Sequence, residues 1–496
     1  MKTTPSRLTA GLFAGLLTIM PVTPALAHAD DPAAVAPASV AQLTPEQLAQ
    51  QAALAEGVLA DDSAYEFLGH LCDDHGGRLT GAAANHSAML DTLHRLQAMG
   101  IDARLQTFRM PGWVRQDDEA VMVAPLERKL RATSLSYTQP HAPFEADVVD
   151  LGDGSEEALK GLDLKGKIGL LGPNAPTRRG GFNMYADELG LVGVLTTCRV
   201  TGGQLLCRTG SFQGEPIKIP VMCITMEEGK WMSRSLARGL PVRVRLHTRS
   251  YCKEIETANI VATFPGRTAD TVILGGHFDS WDLGQGAIDN GLGVAQIFAV
   301  AKHLQEKSPQ NLRTVELVWY NGEEQGLWGS RIHAPTLKGR PIVAMVNLDM
   351  VGFPESVNAL GHADMIPVLE LFNASLGERK LSKGVDNKNW MGSDHVPYLL
   401  EGYRAITFGG PIPPEVVRYY HDFGDTFDKI DPKMLAEASA TISALIYWLA
   451  NNDDLASHRY SEEEVIANFT ANNLVPRLQS SGMWPFKTEA PESSEP

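Results

Sequence analysis

His277 and Asp289 stand twelve residues apart on a glycine-rich stretch, His277-Phe-Asp279-Ser-Trp-Asp-Leu-Gly-Gln-Gly-Ala-Ile-Asp289-Asn290. An acidic pair follows at Glu323-Glu324, then Asp349, then His421. Imidazole nitrogens and carboxylate oxygens are the ligand types that divalent zinc takes from proteins. The set is large enough for two ions and leaves one carboxylate over to carry a proton, which is the equipment of metal-assisted hydrolysis.

Such residues are useful only if the fold brings them together. Thr271 to Leu274 reads as a strand, and His277 follows its carboxyl end. Thr314 to Tyr320 is a second strand, followed by Glu323-Glu324, and Ile342 to Leu348 is a third, followed by Asp349. In open α/β sheets, ligands bind just beyond the carboxyl ends of the strands. Three separate strands therefore deliver acids or imidazole to one edge. Each residue alone has a plainer reading. His277 alone is an ordinary loop or core histidine, Asp289 before Asn290-Gly291 an Asx-turn residue, and Glu323-Glu324 a solvated acidic bend. An aspartate at the end of an apolar strand, like Asp349, needs a partner. The convergence favours the site. Asp279, two residues after His277, is placed to accept the far ring N–H with its carboxylate and fix the tautomer.

From Ala258 onward, strand-like runs (260–264, 271–274, 314–320, 342–348, 405–408) alternate with helical ones (294–306, 366–376, 434–450). This predicts an α/β fold with a mixed, mostly parallel central sheet flanked by helices. Residues 130–248 have a different texture, with short β-rich runs and few helices, and read as a separate small domain. Upstream, Thr44-Pro45-Glu46-Gln47 predicts a capped helix start, and Ser63-Ala-Tyr-Glu66 a second capping box with its helix stopping at Gly76-Gly77. A third helix is expected from about residue 83 to 99. Asp431-Pro432 opens the last helix.

Lys2 and Arg7 precede an apolar run from Leu8 to Met20, and Pro24-Ala25-Leu26-Ala27 supplies small residues for cleavage. This pattern is that of a secretory signal peptide over residues 1–27 and implies a secreted or periplasmic location. Its removal takes the net charge from -16 to -18. An acidic chain without a basic cluster argues against nucleic acid and anionic membrane as partners. Residues 28–60 are expected to form a linker and helix, and 471–496 a flexible tail, disordered from Thr488. Five cysteines are too few, and odd in number, for a disulfide scaffold. Cys198 and Cys207 flank a Gly-Gly turn and either close a hairpin disulfide or remain buried thiols.

The run Gly275-Gly-His277-Phe-Asp279 through Asp289-Asn290-Gly291 resembles the metal loop of the carboxypeptidase Q group of co-catalytic di-zinc exopeptidases. Asn321-Gly-Glu323-Glu324, Asn347-Leu-Asp349 and Tyr420-His421-Asp-Phe-Gly-Asp425-Thr426 resemble three further blocks of that family in order. The resemblance covers roughly residues 60–452. It implies a catalytic domain over 61–129 and 249–470, interrupted by a protease-associated domain at 130–248. It implies two Zn²⁺ ions per chain held by His277, Asp289, Glu324, Asp349 and His421, with Asp289 bridging. It further implies Glu323 as general base, Asp279 as the residue orienting His277, Tyr420 as a donor to the developing oxyanion, and a cis peptide after Asp289. Ser393-Asp394-His395 resembles a substrate-side block, against a plain reading as a helix start. Asn290 departs from the aspartate common at that position. The substrate implied is a short unblocked peptide, and dimers are common among such proteins. An aminopeptidase of the same fold is the alternative, and a non-catalytic binding protein like the transferrin receptor a more distant one. A serine hydrolase or a zincin is disfavoured by the absence of G-x-S-x-G and H-E-x-x-H. A carboxypeptidase needs a cation for the substrate carboxylate, for which Arg404, Arg418 and Lys388 are candidates; an aminopeptidase needs carboxylates for the free amine.

Overall fold

The computed structural model describes residues 42–173, 175, 181–307 and 310–487. The expected signal peptide, most of the following linker and the tail from Thr488 lie outside these residues. The described residues belong to one compact unit, Ser39–Pro496.

Among the described residues, sixteen strands follow in chain order: β1 Asp102–Val114, β2 Glu119–Ala124, β3 Arg128–Lys129, β4 Ala132–Ser134, β5 His141–Asp150, β6 Ile168–Leu171, β7 Gly193–Thr197 and β8 Val221–Ile224. Then come β9 Arg243–Thr248, β10 Tyr251–Phe264, β11 Thr268–His277, β12 Arg313–Tyr320, β13 Ile342–Asn347, β14 Ser356–Asn358, β15 Gly384–Asp386 and β16 Ala405–Gly409. They form two sheets. The larger has the order β1-β10-β12-β11-β13-β16-β14-β15, and its centre, β12-β11-β13-β16, is parallel. Strands buried on both faces read as unbroken apolar runs. Accordingly, all six residues of β13 and the last seven of β11 are buried. Helix Leu292–Lys307 lies against this sheet with twelve of its sixteen residues buried, and helix Pro432–Asn451 covers it in turn.

The second sheet, β3-β2-β9-β5-β6-β7-β8-β4, takes all its strands from between Glu119 and Thr248. Half-buried strands alternate, as β9 does in strict succession. The chain enters this sheet from β1 and leaves it into β10, which pair antiparallel along their whole length.

Local chemistry sets the ends of the helices. Thr44 caps helix Pro45–Leu59 in a full capping box with Gln47, and Asp431 caps Pro432–Asn451. The second expected box does not form. Ser63 donates its hydroxyl to Asp61 at 2.8 Å instead, and the helix Ser63–His70 starts without a side-chain cap. The expected tail is also more ordered than its composition suggests. Val475–Ser480 is helical, Leu478 is buried, and Trp484 and Phe486 pack beside it.

Candidate metal centre

The central parallel strands set the site. Register pairs His277 with Tyr320 and Gly275 with Asn347, so β11, β12 and β13 end level with one another. His277 closes β11, the turn after β12 carries Glu323 and Glu324, and Asp349 follows β13. Asp289 returns to this edge from the loop after β11, and His421 arrives from the loop before helix Pro432–Asn451.

The five side chains converge. His277 Nε2 lies 3.1 Å from Asp289 Oδ1 and 3.6 Å from Asp349 Oδ1. His421 Nε2 lies 2.9 Å from Asp289 Oδ2 and 3.2 Å from Glu324 Oε2. The two oxygens of Asp289 thus face different histidines. Among the described residues, two groups can each surround a cation, His277-Asp289-Asp349 and Asp289-Glu324-His421, with ligand atoms within 4.8 Å of one another. Asp289 belongs to both.

The residues fit metal ions better than they fit each other. Asp289 Oδ1, Glu324 Oε1 and His421 Nε2 are buried without a hydrogen bond, although His421 and Asp289 nearly touch. An unsatisfied buried carboxylate is costly unless a cation is nearby. Each imidazole is held by its other nitrogen, His277 Nδ1 on the Asp279 carbonyl at 3.0 Å and His421 Nδ1 on the Cys207 carbonyl at 2.6 Å. Donation from Nδ1 leaves the Nε2 lone pair for a metal. Electrostatics say the same. Burial disfavours the charged form of His421, but Glu324 and Asp289 outweigh it and lift its pKa to about 10. Burial pushes Glu324 up to about 7 and Glu323 well above the carboxylate range. Two nitrogens and three carboxylates are a donor set suited to zinc.

Asp279 acts differently from the sequence expectation. Its carboxylate stands 3.9 Å from His277 Nδ1, which donates to the Asp279 main-chain carbonyl. The carboxylate instead accepts the backbone N–H groups of Glu323 at 3.2 Å and Glu324 at 3.3 Å. It fixes the acidic turn, pointing Glu324 into the cluster and leaving Glu323 as the more exposed of the two. Tyr420 stacks on His421 with ring centroids 3.6 Å apart. Ser393, Asp394 and His395 stand at a helix start, that of His395–Leu400. All three are fully buried behind the end of β13, where Ser393 accepts Asn347 Nδ2 at 2.9 Å and His395 meets the Trp390 carbonyl at 2.9 Å. Asp394 precedes helix His395–Leu400 without capping it.

Three supports were missed in the sequence. The fully buried Arg78 donates to the carbonyls of Phe278, Gln285 and Gly286 at 3.0, 2.7 and 2.9 Å, and to Gly76 at 3.4 Å. It clamps both ends of the loop between His277 and Asp289. Asp425 accepts the N–H groups of Ile288 at 2.6 Å and Asp289 at 3.1 Å. The third is the Cys207 carbonyl, supplied from the long connection between β7 and β8. Asn290 uses both ends of its amide. Nδ2 reaches the carbonyls of Leu348 and His277 at 2.8 and 3.4 Å, and Oδ1 accepts from Met350 and Gly293. An aspartate there would have no donor for those carbonyls. The Asp289–Asn290 peptide is cis. His421, Met350 and Leu327 all adopt positive φ, at 58°, 52° and 60°. Left-handed backbone at non-glycine residues costs energy and gathers at functional sites.

Residues 259–446 match the model of peptidase family M28. Over these residues the chain resembles an M28 peptidase domain. It is 26% identical to rat (Rattus norvegicus) carboxypeptidase Q over 419 residues, spanning 79% of this chain and 86% of that protein. It is 24% identical to aminopeptidase YwaD of Bacillus subtilis (strain 168) over 401 residues, 77% and 84% of the two chains. Its fold is similar to that of a peptidase M28 precursor from Shewanella amazonensis SB2B, with TM-score 0.74, 22% identity, and 84% and 99% of the two chains covered. The zinc aminopeptidase BSAP from Bacillus subtilis also shares the fold, with TM-score 0.64, 22% identity, and 80% and 97% covered. The M28 domain and these relatives place the chain among the metallo-exopeptidases. All five cysteines are free thiols, so the hairpin disulfide does not form.

Proposed function

We propose that this chain is a secreted exopeptidase that uses two zinc ions to hydrolyse short unblocked peptides, in the manner of carboxypeptidase Q. The observation that carries the reading is the buried Asp289 carboxylate, which offers one oxygen to each of two ligand groups. His277, Asp289 and Asp349 would hold one ion, and Asp289, Glu324 and His421 the other. Bound there, the ions would supply Lewis-acid polarisation of the scissile carbonyl and a lowered pKa for water.

The protein's own groups do the rest. Glu323 is held by Asp279 at the edge of the cluster, and burial keeps its carboxylate basic. It takes the proton of the attacking water and returns it to the leaving amine. The Tyr420 hydroxyl donates to the oxyanion that develops on the substrate. Residues 130–248 would form a protease-associated insert. Secretion rests on the N-terminal sequence. Among the described residues no helix is long and apolar enough to cross a membrane.

Metal analysis of the purified protein, with tripeptides blocked at one end or the other and products identified by mass, tests the reading. Two zinc ions per chain and loss of one terminal residue are expected; no zinc and no hydrolysis would refute it. Glu323→Gln should keep both ions and lose nearly all turnover, and a variant retaining a large share of activity removes Glu323 as the base. Aminopeptidase action is the second reading, favoured by the similarity to the Bacillus subtilis aminopeptidases.

A further inference from the structure

Two of the segments that bear candidate ligands are joined through one side chain, Arg115. It is the residue after β1, where the chain crosses from the larger sheet to the smaller one. The crossing is fastened beside it. Gln116 N–H donates to the Ser250 hydroxyl at 2.9 Å, and the Asp118 carboxylate accepts from Arg249 and Ser250 of the returning chain.

Every edge of the Arg115 guanidinium is used. Nε stands 2.8 Å from each oxygen of Asp282. Nη1 donates to Thr133 Oγ1 at 2.7 Å and to the Ser134 carbonyl at 3.3 Å, both on β4 of the smaller sheet, and Nη2 donates to Cys207 Sγ at 3.3 Å. Its face lies over the Trp113 ring, 4.8 Å from the centroid. The Arg115 and Asp282 side chains are only 18% and 21% exposed. A partly buried ion pair is screened far less than a surface one. A planar fork also serves several acceptors in fixed directions, which an ammonium does not.

The partners matter for what they carry. Asp282 lies on the loop between His277 and Asp289. Cys207 holds His421 by its backbone, accepting Nδ1 with its carbonyl at 2.6 Å and donating its N–H to the His421 carbonyl at 3.1 Å. The path Asp282–Arg115–Cys207–His421 thus joins the loop that supplies Asp289 to the histidine grouped with it. Trp281 joins the same loop to the same histidine directly. It is buried in the apolar cluster that holds Trp113 and Cys207, and its ring makes a T-shaped contact with His421, centroids 5.9 Å apart. Of the two ligand groups, the first, His277-Asp289-Asp349, has no imidazole held by Cys207. The second, Asp289-Glu324-His421, does.

We propose that Arg115 is a positioning residue for the second cation position. It fixes the Asp289 loop against His421, and so sets zinc affinity there without touching zinc or substrate. The proposal rests on the di-zinc exopeptidase reading above and adds the residue through which the smaller sheet acts on the metal centre.

The test titrates the metal-free full chain with zinc alone, in competition with a chromophoric chelator that resolves two affinities. Arg115→Met should weaken the second zinc about 10–100-fold, the usual effect of losing support behind a ligand, and leave the first within about threefold. In a His421→Ala background, which keeps the first group intact, Arg115→Met should change zinc affinity by less than about threefold, because sites that share no partner behave additively. Arg115→Lys keeps the charge without the fork and should recover only part of the second affinity. If Arg115→Met does not fold, Asp282→Asn, which keeps the shape and removes the ion pair, carries the same expectation. A purely structural role predicts a lower metal-free melting temperature with both zinc affinities intact. That result, equal losses at both positions, or the full loss persisting in His421→Ala would overturn the proposal and leave the exopeptidase reading standing. Selective loss of the second zinc, in a protein that cleaves no peptide, would support Arg115 and refute the exopeptidase. A parent that binds no zinc would overturn both.

Discussion

Asp425→Asn isolates how the bridging carboxylate is held. Asp425 never reaches the cluster, but its two oxygens accept the N–H groups of Ile288 and Asp289, at 2.6 and 3.1 Å. An asparagine keeps one acceptor and turns the other into an NH₂ group facing a buried N–H. The loss is one charge-assisted bond, about 1.5–3 kcal/mol, plus about 1–3 kcal/mol for the stranded donor. An opposing effect exists in the metal-free protein. Burial raises Asp425 to about 7, and the charge of Asp289 adds to this, so removing its charge relieves repulsion. The metal-free melting temperature should therefore move little. Zinc brings positive charge, and with it the relief vanishes. Loss of support behind a ligand typically weakens metal binding about 10–100-fold, which would remove about 1.4–2.7 kcal/mol of zinc-dependent stabilisation at saturation. Competition with a chromophoric chelator, and melting with and without zinc, measure the two quantities separately. Parent-like zinc affinity with an unchanged zinc-dependent shift would refute the reasoning.

Arg78→Lys should destabilise the protein by about 3 kcal/mol in guanidinium unfolding, because three ammonium protons cannot reproduce a planar fork serving four carbonyls; a change under about 0.5 kcal/mol would contradict the clamp. Glu316 is buried, and although burial opposes its charge, His333 and Arg340 outweigh it and bring its pKa from 4.5 to about 2. A depressed carboxylate contributes stability that is complete above its unfolded pKa, near 4.5, and lost as pH falls toward 2, here about 3 kcal/mol. Glu316→Gln should flatten that part of the acid limb in urea titrations of the metal-free protein, and an unchanged limb would refute the assignment. Thiol titration of the unfolded, unreduced chain should find all five cysteines, with fewer showing that a disulfide had formed.

The sequence carried the parts of this fold that residue type encodes. The apolar runs of β11, β12 and β13 announce themselves, and His277, Glu323-Glu324 and Asp349 follow their ends. That these ends lie level is a consequence of parallel register, which the alternation of strands and helices already implies. What stayed hidden is carried by backbone. Any residue can offer the carbonyl that Cys207 gives to His421, so no side chain marks it. Arg78 speaks only to carbonyls, and its sequence neighbours give no hint of that. Asp279 shows a subtler limit. Spacing places it beside His277 correctly, but only the folded turn shows that its oxygens go to the N–H groups of Glu323 and Glu324. Arg418 looked like a free cation until Gln204, 214 residues earlier, took its guanidinium.

The two hydrogen bonds between the Cys207 backbone and His421, one to its carbonyl and one from its ring, make the smaller sheet answerable for a ligand at the edge of the larger one. Grafting the central sheet alone onto a minimal scaffold would release the imidazole to spin about its own bonds, even with every ligand retained. Shortening or exchanging the connection between β7 and β8 is therefore a way to detune the second cation position remotely, with none of its three ligands, Asp289, Glu324 and His421, altered.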